Sequence, residues 1–348
     1  MSRYSIASRV GALLALLLLA VVPGCSKKDK NVLAPAVQTP SSATINGYQT
    51  TPTPGMVNFD VSAVTQNGAL LTSGAITEPA FTGLAIGTSP RRLARMRLSA
   101  VVTGIAAVCG PISSRGTVVA AICLDATGSM SSSDPDTLRS RAAKAFIARM
   151  SSGDVAEVSS FDTDTPASPG LLAIHTYGGG FGSDHARLFA SVDSASFASG
   201  STPLWDAAYD CAHVDSAQGG ANTLAVLLTD GGDNSSSKTL VEAENYARQK
   251  NVRVYMVGLD VNGAFDDSTE AHMKWLAQET GGFYARADSA GQMSNLFGHV
   301  FNASHASGCV SGTFLVDGVV PLPGTIIVGT MSFKVNGTAV TGPFRVVL

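Results

Sequence analysis

Between residues 117 and 305 the chain alternates two rhythms, and this alternation constrains the fold more than any other feature. "TVVAAICLD" (117–125) is a buried-type strand with polar residues only at its end. "DTLRSRAAKAFIARMS" follows, with Leu138, Ala142, Ala145, Phe146 and Met150 at helical spacing. Strand patterns "DVAEVSSF" and "LLAIHTY" come next, then a helix over 183–195 and another from Pro203 through "LWDAAYDCAHV". "NTLAVLLTD", "VRVYMVGL" and "FYAR" read as strands; "KTLVEAENYARQK", "TEAHMKWLAQETG" and 289–304 read as helices. Such a series requires a mostly parallel α/β sheet with helices on both faces, a Rossmann-like arrangement. Ligands in such folds bind where the strands end, at the carboxyl edge.

The flanking segments have no helical period. From Val57 to Val108, runs such as "VNFDVSAV" and "ALLTSGAIT" are punctuated by turn residues, and 312–348 behaves alike. Neither end alone offers enough strands for a stable sheet domain. The expectation is one β-sandwich built from residues 56–110 and 310–348, with the α/β domain of residues 113–305 inserted between them, since domain termini lie close enough to tolerate insertion. Residues 25–55, rich in Pro, Thr, Ser and Gln, read as a tether.

Three loops at the expected carboxyl edge carry matching chemistry. "DATGSM" offers Asp125, Thr127 and Ser129 at alternate positions, which point the same way on extended backbone. "GSTPLWDA" offers Thr202, in the position that caps a helix starting at Pro203. "TDGGDN" offers Asp230 at a strand end. Two carboxylates and three hydroxyls form an all-oxygen set for a hard cation, Mg²⁺ first, with Mn²⁺ and Ca²⁺ as alternatives. A shell rich in neutral hydroxyls leaves the ion electrophilic and open to a carboxylate from outside.

In these three motifs, in order and in register, the chain resembles the von Willebrand factor type A family, whose metal-ion-dependent adhesion site has the pattern D-x-S-x-S, then T, then D. The resemblance implies direct coordination by Thr127 and Ser129. Asp125 and Asp230 would act directly or through water, with Thr202 moving between the two modes as ligand arrives. It also implies a protein or peptide partner presenting Asp or Glu. The one departure is Thr127, where the pattern has serine. Trp205 either packs in the core or stands beside the site as a ligand contact. Asp233 either shapes the third loop or meets the ligand, and Asp206 is a supporting carboxylate.

The N-terminus carries Arg3 and Arg9, an apolar run over 10–22, then "VPGC". The run is too short to span a bilayer and reads as a signal peptide, residues 1–24. Its ending resembles the bacterial lipobox, which makes Cys25 the lipidated residue and the cell envelope the expected location. Removing residues 1–24 takes away two arginines and no acid, moving the formal charge from −3 to −5. That argues against a nucleic-acid partner. "RRLARMR" (91–97) is read as an ordinary basic turn or strand face. Export permits disulfides. Cys109 and Cys309 flank the α/β region and are the expected pair; Cys123 in mid-strand and Cys211 in mid-helix are expected as buried thiols. His299 and His305 are expected on exposed helix positions.

Other functions are open to such a site. A metal-dependent hydrolase needs a general base, and no motif places one. A chelatase-like subunit would work beside a cytosolic ATPase, which the signal peptide opposes. A structural envelope protein whose ion only braces the loops is the remaining alternative. The reading is a binding protein, not an enzyme.

Overall fold

The computed structural model describes residues 40–65, 69–87, 100–261 and 265–348. The expected signal peptide, Cys25 and the 91–97 segment lie outside the described residues. In the α/β region the strands are β6 (Val119–Asp125), β7 (Val155–Phe161), β8 (Ile174–Gly182), β9 (Thr223–Thr229), β10 (Arg253–Leu259) and β11 (Tyr284–Ala287). They form one sheet in the order β11-β10-β9-β6-β7-β8, with all pairs parallel except β7–β8. The helices are α1 (Met130–Ser133), α2 (Leu138–Ile147), α3 (His185–Ala195), α4 (Leu204–Gln218), α5 (Leu240–Gln249), α6 (Asp267–Glu279) and α7 (Met293–His305). This is the Rossmann-like α/β fold.

The central strands β6 and β9 are apolar except at their ends, because each face meets helices. Ile122 and Leu124 of β6 join α2, α3 and α7 in one core. Ala121 and Cys123, on the opposite face, join α4, α5 and α6 in another. Successive side chains on a strand point to opposite faces, so both faces must be apolar here.

Before and after this region lie β1 (Pro40–Thr50), β2 (Met56–Thr65), β3 (Ser73–Gly74), β4 (Ile76–Ile86), β5 (Val102–Ser114), β12 (Ala306–Val316), β13 (Ile326–Val335) and β14 (Thr338–Val347). They build a five-stranded sheet, β1-β2-β12-β5-β3, and a three-stranded sheet, β14-β13-β4. A third core joins Val57, Phe59 and Val61 to Phe314, Phe333 and Val346. The chain leaves this layer by β5 and returns by β12, which pair antiparallel side by side. Arg115 N donates to the His305 carbonyl (2.8 Å) where the two strands meet the α/β region.

Several expectations change. β1 lies within the segment read as tether. It is an edge strand whose apolar residues, Ala43, Ile45 and Tyr48, are only partly buried, so its Ser, Thr and Gln content hid it. Cys109 and Cys309 are bonded across β5 and β12, as their flanking positions imply. Cys123 and Cys211 are not free thiols but a second disulfide (Cα–Cα 6.8 Å), because α4 lies directly over β6. His299 and His305 are half-buried, not exposed. His305 Nε2 meets the Asp154 carboxylate at 3.0 Å beneath α7.

Candidate metal centre

The sheet's carboxyl edge brings together all five residues singled out in the three loops. Asp125 is the last residue of β6 and is fully buried. Its Oδ1 accepts from Thr127 N (2.8 Å) and its Oδ2 from Thr229 Oγ1 (2.6 Å). Thr127 Oγ1 and Ser129 Oγ lie 3.1 Å apart, and Ser129 Oγ donates to Asp230 Oδ1 at 2.6 Å. Ser133 Oγ donates to the other oxygen of Asp230. Convergence of the first motif does not come from extended backbone. The Asp125 carboxylate folds the chain over its own amides, and Ser129 is already helical (φ −61, ψ −29).

Two backbone bonds dock the second loop on the first: Gly128 N to the Gly200 carbonyl (3.0 Å) and Ser199 N to the Ala126 carbonyl (2.7 Å). The third loop is tied to the second by Thr202 N to Asn234 Oδ1 (2.9 Å) and by Asn234 N to the Thr202 carbonyl (3.0 Å). Thr202 does not cap α4, which starts one residue later than expected. Asp233 Oδ1 accepts from Leu204 N (2.9 Å), and Ser236 Oγ accepts from Trp205 N and Asp206 N (3.0 Å each). Capping from another loop leaves the Thr202 hydroxyl unspent. A Cβ added at Gly231 would lie 3.6 Å from it, so the second and third loops meet at this hydroxyl.

The remaining residues support the site or stand apart from it. Asp206 accepts from Ser237 N (2.8 Å) and Lys238 N (2.7 Å), bracing the chain after the third loop. Trp205, weighed as a ligand contact, is buried in the core with α4 and α6 instead. Asp233, weighed likewise, has Oδ1 committed to the start of α4. Two participants escaped the sequence reading: Thr229, one residue before Asp230, and Ser133, four residues after Ser129 on the short helix α1. Helical i, i+4 spacing was the signal for Ser133. The loop after β7 also reaches this edge, where Thr163 Oγ1 accepts from Ser201 N (2.8 Å).

Electrostatics fit the donor set to a hard cation. Burial first, and the Asp230 charge second, push Asp125 up to about 6. Two neighbouring buried carboxylates are costly without a positive partner. The donors are oxygens only, with no nitrogen or sulfur to favour a soft metal. Among the described residues no group of three or more His, Cys, Asp or Glu that could hold a metal ion forms, here or elsewhere, so hydroxyls must supply most of this donor set. Asp125, Thr127, Ser129, Thr202 and Asp230 are therefore the residues that would hold a divalent cation, with water completing its shell. Ser129 is exposed while Asp125 and Thr127 are buried, so the set faces solvent on one side.

A family model for the von Willebrand factor type A domain matches residues 121–299. The chain belongs to this family. Among solved structures it is similar to a von Willebrand factor type A protein from Catenulispora acidiphila, at 14% identity, 79% coverage of this chain, 74% of that one and a TM-score of 0.46. It is also similar to the pilus adhesin SpaC from Lactobacillus rhamnosus GG (10% identity, 86% of this chain, 47% of that one, TM-score 0.42). A third similarity is to the von Willebrand domain of the type V pili tip protein Mfa5 from Porphyromonas gingivalis (11% identity, 53% and 94%, TM-score 0.40). The chain spans about half the length of SpaC. No curated protein sequence matches it. No helix among the described residues is long and apolar enough to cross a membrane.

Proposed function

We propose that this type A domain protein is a cell-envelope lipoprotein that binds a divalent cation, Mg²⁺ first, and through it an acidic residue of a protein or peptide partner. The observation that carries the reading is the meeting of Asp125, Thr127, Ser129, Thr202 and Asp230 at one solvent-facing edge. Within it, the Thr202 hydroxyl is relieved of capping by Asp233. A side chain that another loop frees from a local role, and that two further bonds hold in place, is suited to coordination.

An ion held mostly by neutral hydroxyls keeps a high effective charge, which a carboxylate from a partner would neutralise. Attachment through a lipidated Cys25 would present this edge from a membrane. The chemistry around the centre is binding chemistry: its carboxylates are engaged by hydroxyls and amides and do not stand ready as a base. The competing reading, an ion that only braces loops, is disfavoured by the bonds Ser129–Asp230 and Thr229–Asp125, which brace the same loops directly.

The test is capture of partners from native envelope extract with and without EDTA, with the protein's thermal unfolding followed in parallel. The proposal expects EDTA to abolish specific capture with little change in unfolding temperature. Capture that survives EDTA, or a protein that unfolds on chelation, contradicts it.

A further inference from the structure

The Cys123–Cys211 disulfide stands in a particular relation to the three loops. Cys123 is two residues before Asp125 on β6 and points to the same face of the sheet. Cys211 lies on α4, nine residues after Thr202. At a rise of about 1.5 Å per residue, the sulfur bridge sits roughly 10 Å along α4 from its start at Leu204. On the other side of Thr202, Gly200 accepts a backbone bond from Gly128. Asp125, Thr127 and Thr202 thus all lie within one closed ring: β6, its loop, the Gly128–Gly200 bond, the second loop, α4 and the disulfide.

α4 is seated by Leu204 and Trp205 at its start, by Asp210, which accepts from three backbone amides, and by the Cys123–Cys211 bond. Its face toward the sheet presents Ala207, Ala208 and Ala212, opposite Ala121 and Ala225. These small side chains interlock less than large ones would. Both sulfurs are fully buried. A covalent bond at this level adds to the hydrogen bonds of Asp206 and Asp210 in fixing the register of α4.

We propose that the Cys123–Cys211 disulfide is a strut that positions Thr202 against Asp125, and so sets the affinity of the metal centre. The proposal rests on the metal-binding reading above and adds to it that the second loop's position is fixed covalently from below. The neck disulfide, Cys109–Cys309, lies outside the ring and gives the natural control.

The experiment is calorimetric titration of Mn²⁺ alone into wild type, Cys123→Ala/Cys211→Ala and Cys109→Ala/Cys309→Ala, with unfolding temperatures measured beside it. The expected result is at least tenfold weaker Mn²⁺ binding in the Cys123/Cys211 variant and binding within twofold of wild type in the Cys109/Cys309 variant, although both unfold earlier. A strut whose only role is stability would lower the unfolding temperature and leave affinity alone. Binding within twofold of wild type in Cys123→Ala/Cys211→Ala overturns the proposal. If that variant does not fold, Cys123→Val/Cys211→Ala refills the volume and is judged by the same criterion. Failure of both to fold makes the bond a folding element and also overturns it. A wild type that does not bind millimolar Mn²⁺ sinks the metal reading itself, an outcome the variants cannot mimic.

Discussion

In the sandwich, Phe59, Phe81, Phe314 and Phe344 meet with ring centroids 5.0 to 6.2 Å apart. In the α/β region, by contrast, Arg139 and Asp134 are both buried and bonded at 2.8 Å. Among the described residues every fully buried charged side chain lies between Asp125 and Asp260, whereas Asp60 of β2 is half-buried, with its carboxyl raised by burial. Burying a charge is expensive, and it persists where the charge organises backbone. Asp210 accepts from Leu172 N, Ala173 N and Ile174 N, Asp134 from Leu138 N and Arg139 N, and Asp206 from Ser237 N and Lys238 N. One region closes its core with aromatic rings; the other spends aspartates to shape the loops at its sheet edge.

The sharpest way to break that contrast is to remove one buried partner from each side. Asp134→Ala leaves Arg139 charged, buried and unpaired and frees two helix amides, and should cost about 3–5 kcal/mol. Phe59→Ala removes the ring that touches the other three and should cost about 3–5 kcal/mol as well. Urea unfolding reads both. A Mn²⁺ titration under folding conditions should find Phe59→Ala unchanged, because the rings lie in a separate core. A cost below 1 kcal/mol for Asp134→Ala would mean that the buried charge is not structural.

A smaller effect isolates a single buried carboxyl. Asp215 is fully buried, and burial, reinforced by nearby Glu157, pushes its carboxyl well above the ordinary range. The folded chain then keeps a proton that the unfolded chain releases. Stability from this group is complete below the ordinary carboxylate range, falls as pH rises through the window above it, and stays lower once the folded group ionises. Asp215→Asn should therefore gain stability relative to wild type as pH rises above the ordinary carboxylate range, measured by urea unfolding at several pH values. A gap that does not change with pH contradicts this account of Asp215.

The smallest effect is local. Thr239 and Glu242 form a capping box at the start of α5, and Thr239→Ala should cost about 1 kcal/mol without altering Mn²⁺ binding. A loss of Mn²⁺ binding would show that α5 is coupled to the centre.

What the sequence revealed divides along the same line. The α/β elements were legible because each strand and helix announces its period locally, and Asp125, Thr202 and Asp230 because each ends, precedes or follows such an element. The sandwich was legible only in outline: β1 is an edge strand with few apolar residues, and its partners stand far away in the chain. Cys123–Cys211 stayed hidden because pairing a mid-strand residue with a mid-helix residue, 88 positions apart, needs the helix placed over the strand. The cap of α4 was misread for a similar reason. Thr202 has the right residue type and position, but Asp233 arrives from a loop distant in sequence and takes the role. Side chains that serve across loops leave no local signature.

The most direct test of the account is calorimetric titration of Mg²⁺ and Mn²⁺ into the wild-type protein, Asp125→Ala and Thr202→Ala. The account predicts one ion bound per chain in wild type, none in Asp125→Ala, and binding at least tenfold weaker in Thr202→Ala, with capture of partners lost in both variants. If neither ion binds the wild type at millimolar concentration, the five side chains at the sheet edge are a hydrogen-bonded turn and the central claim is wrong.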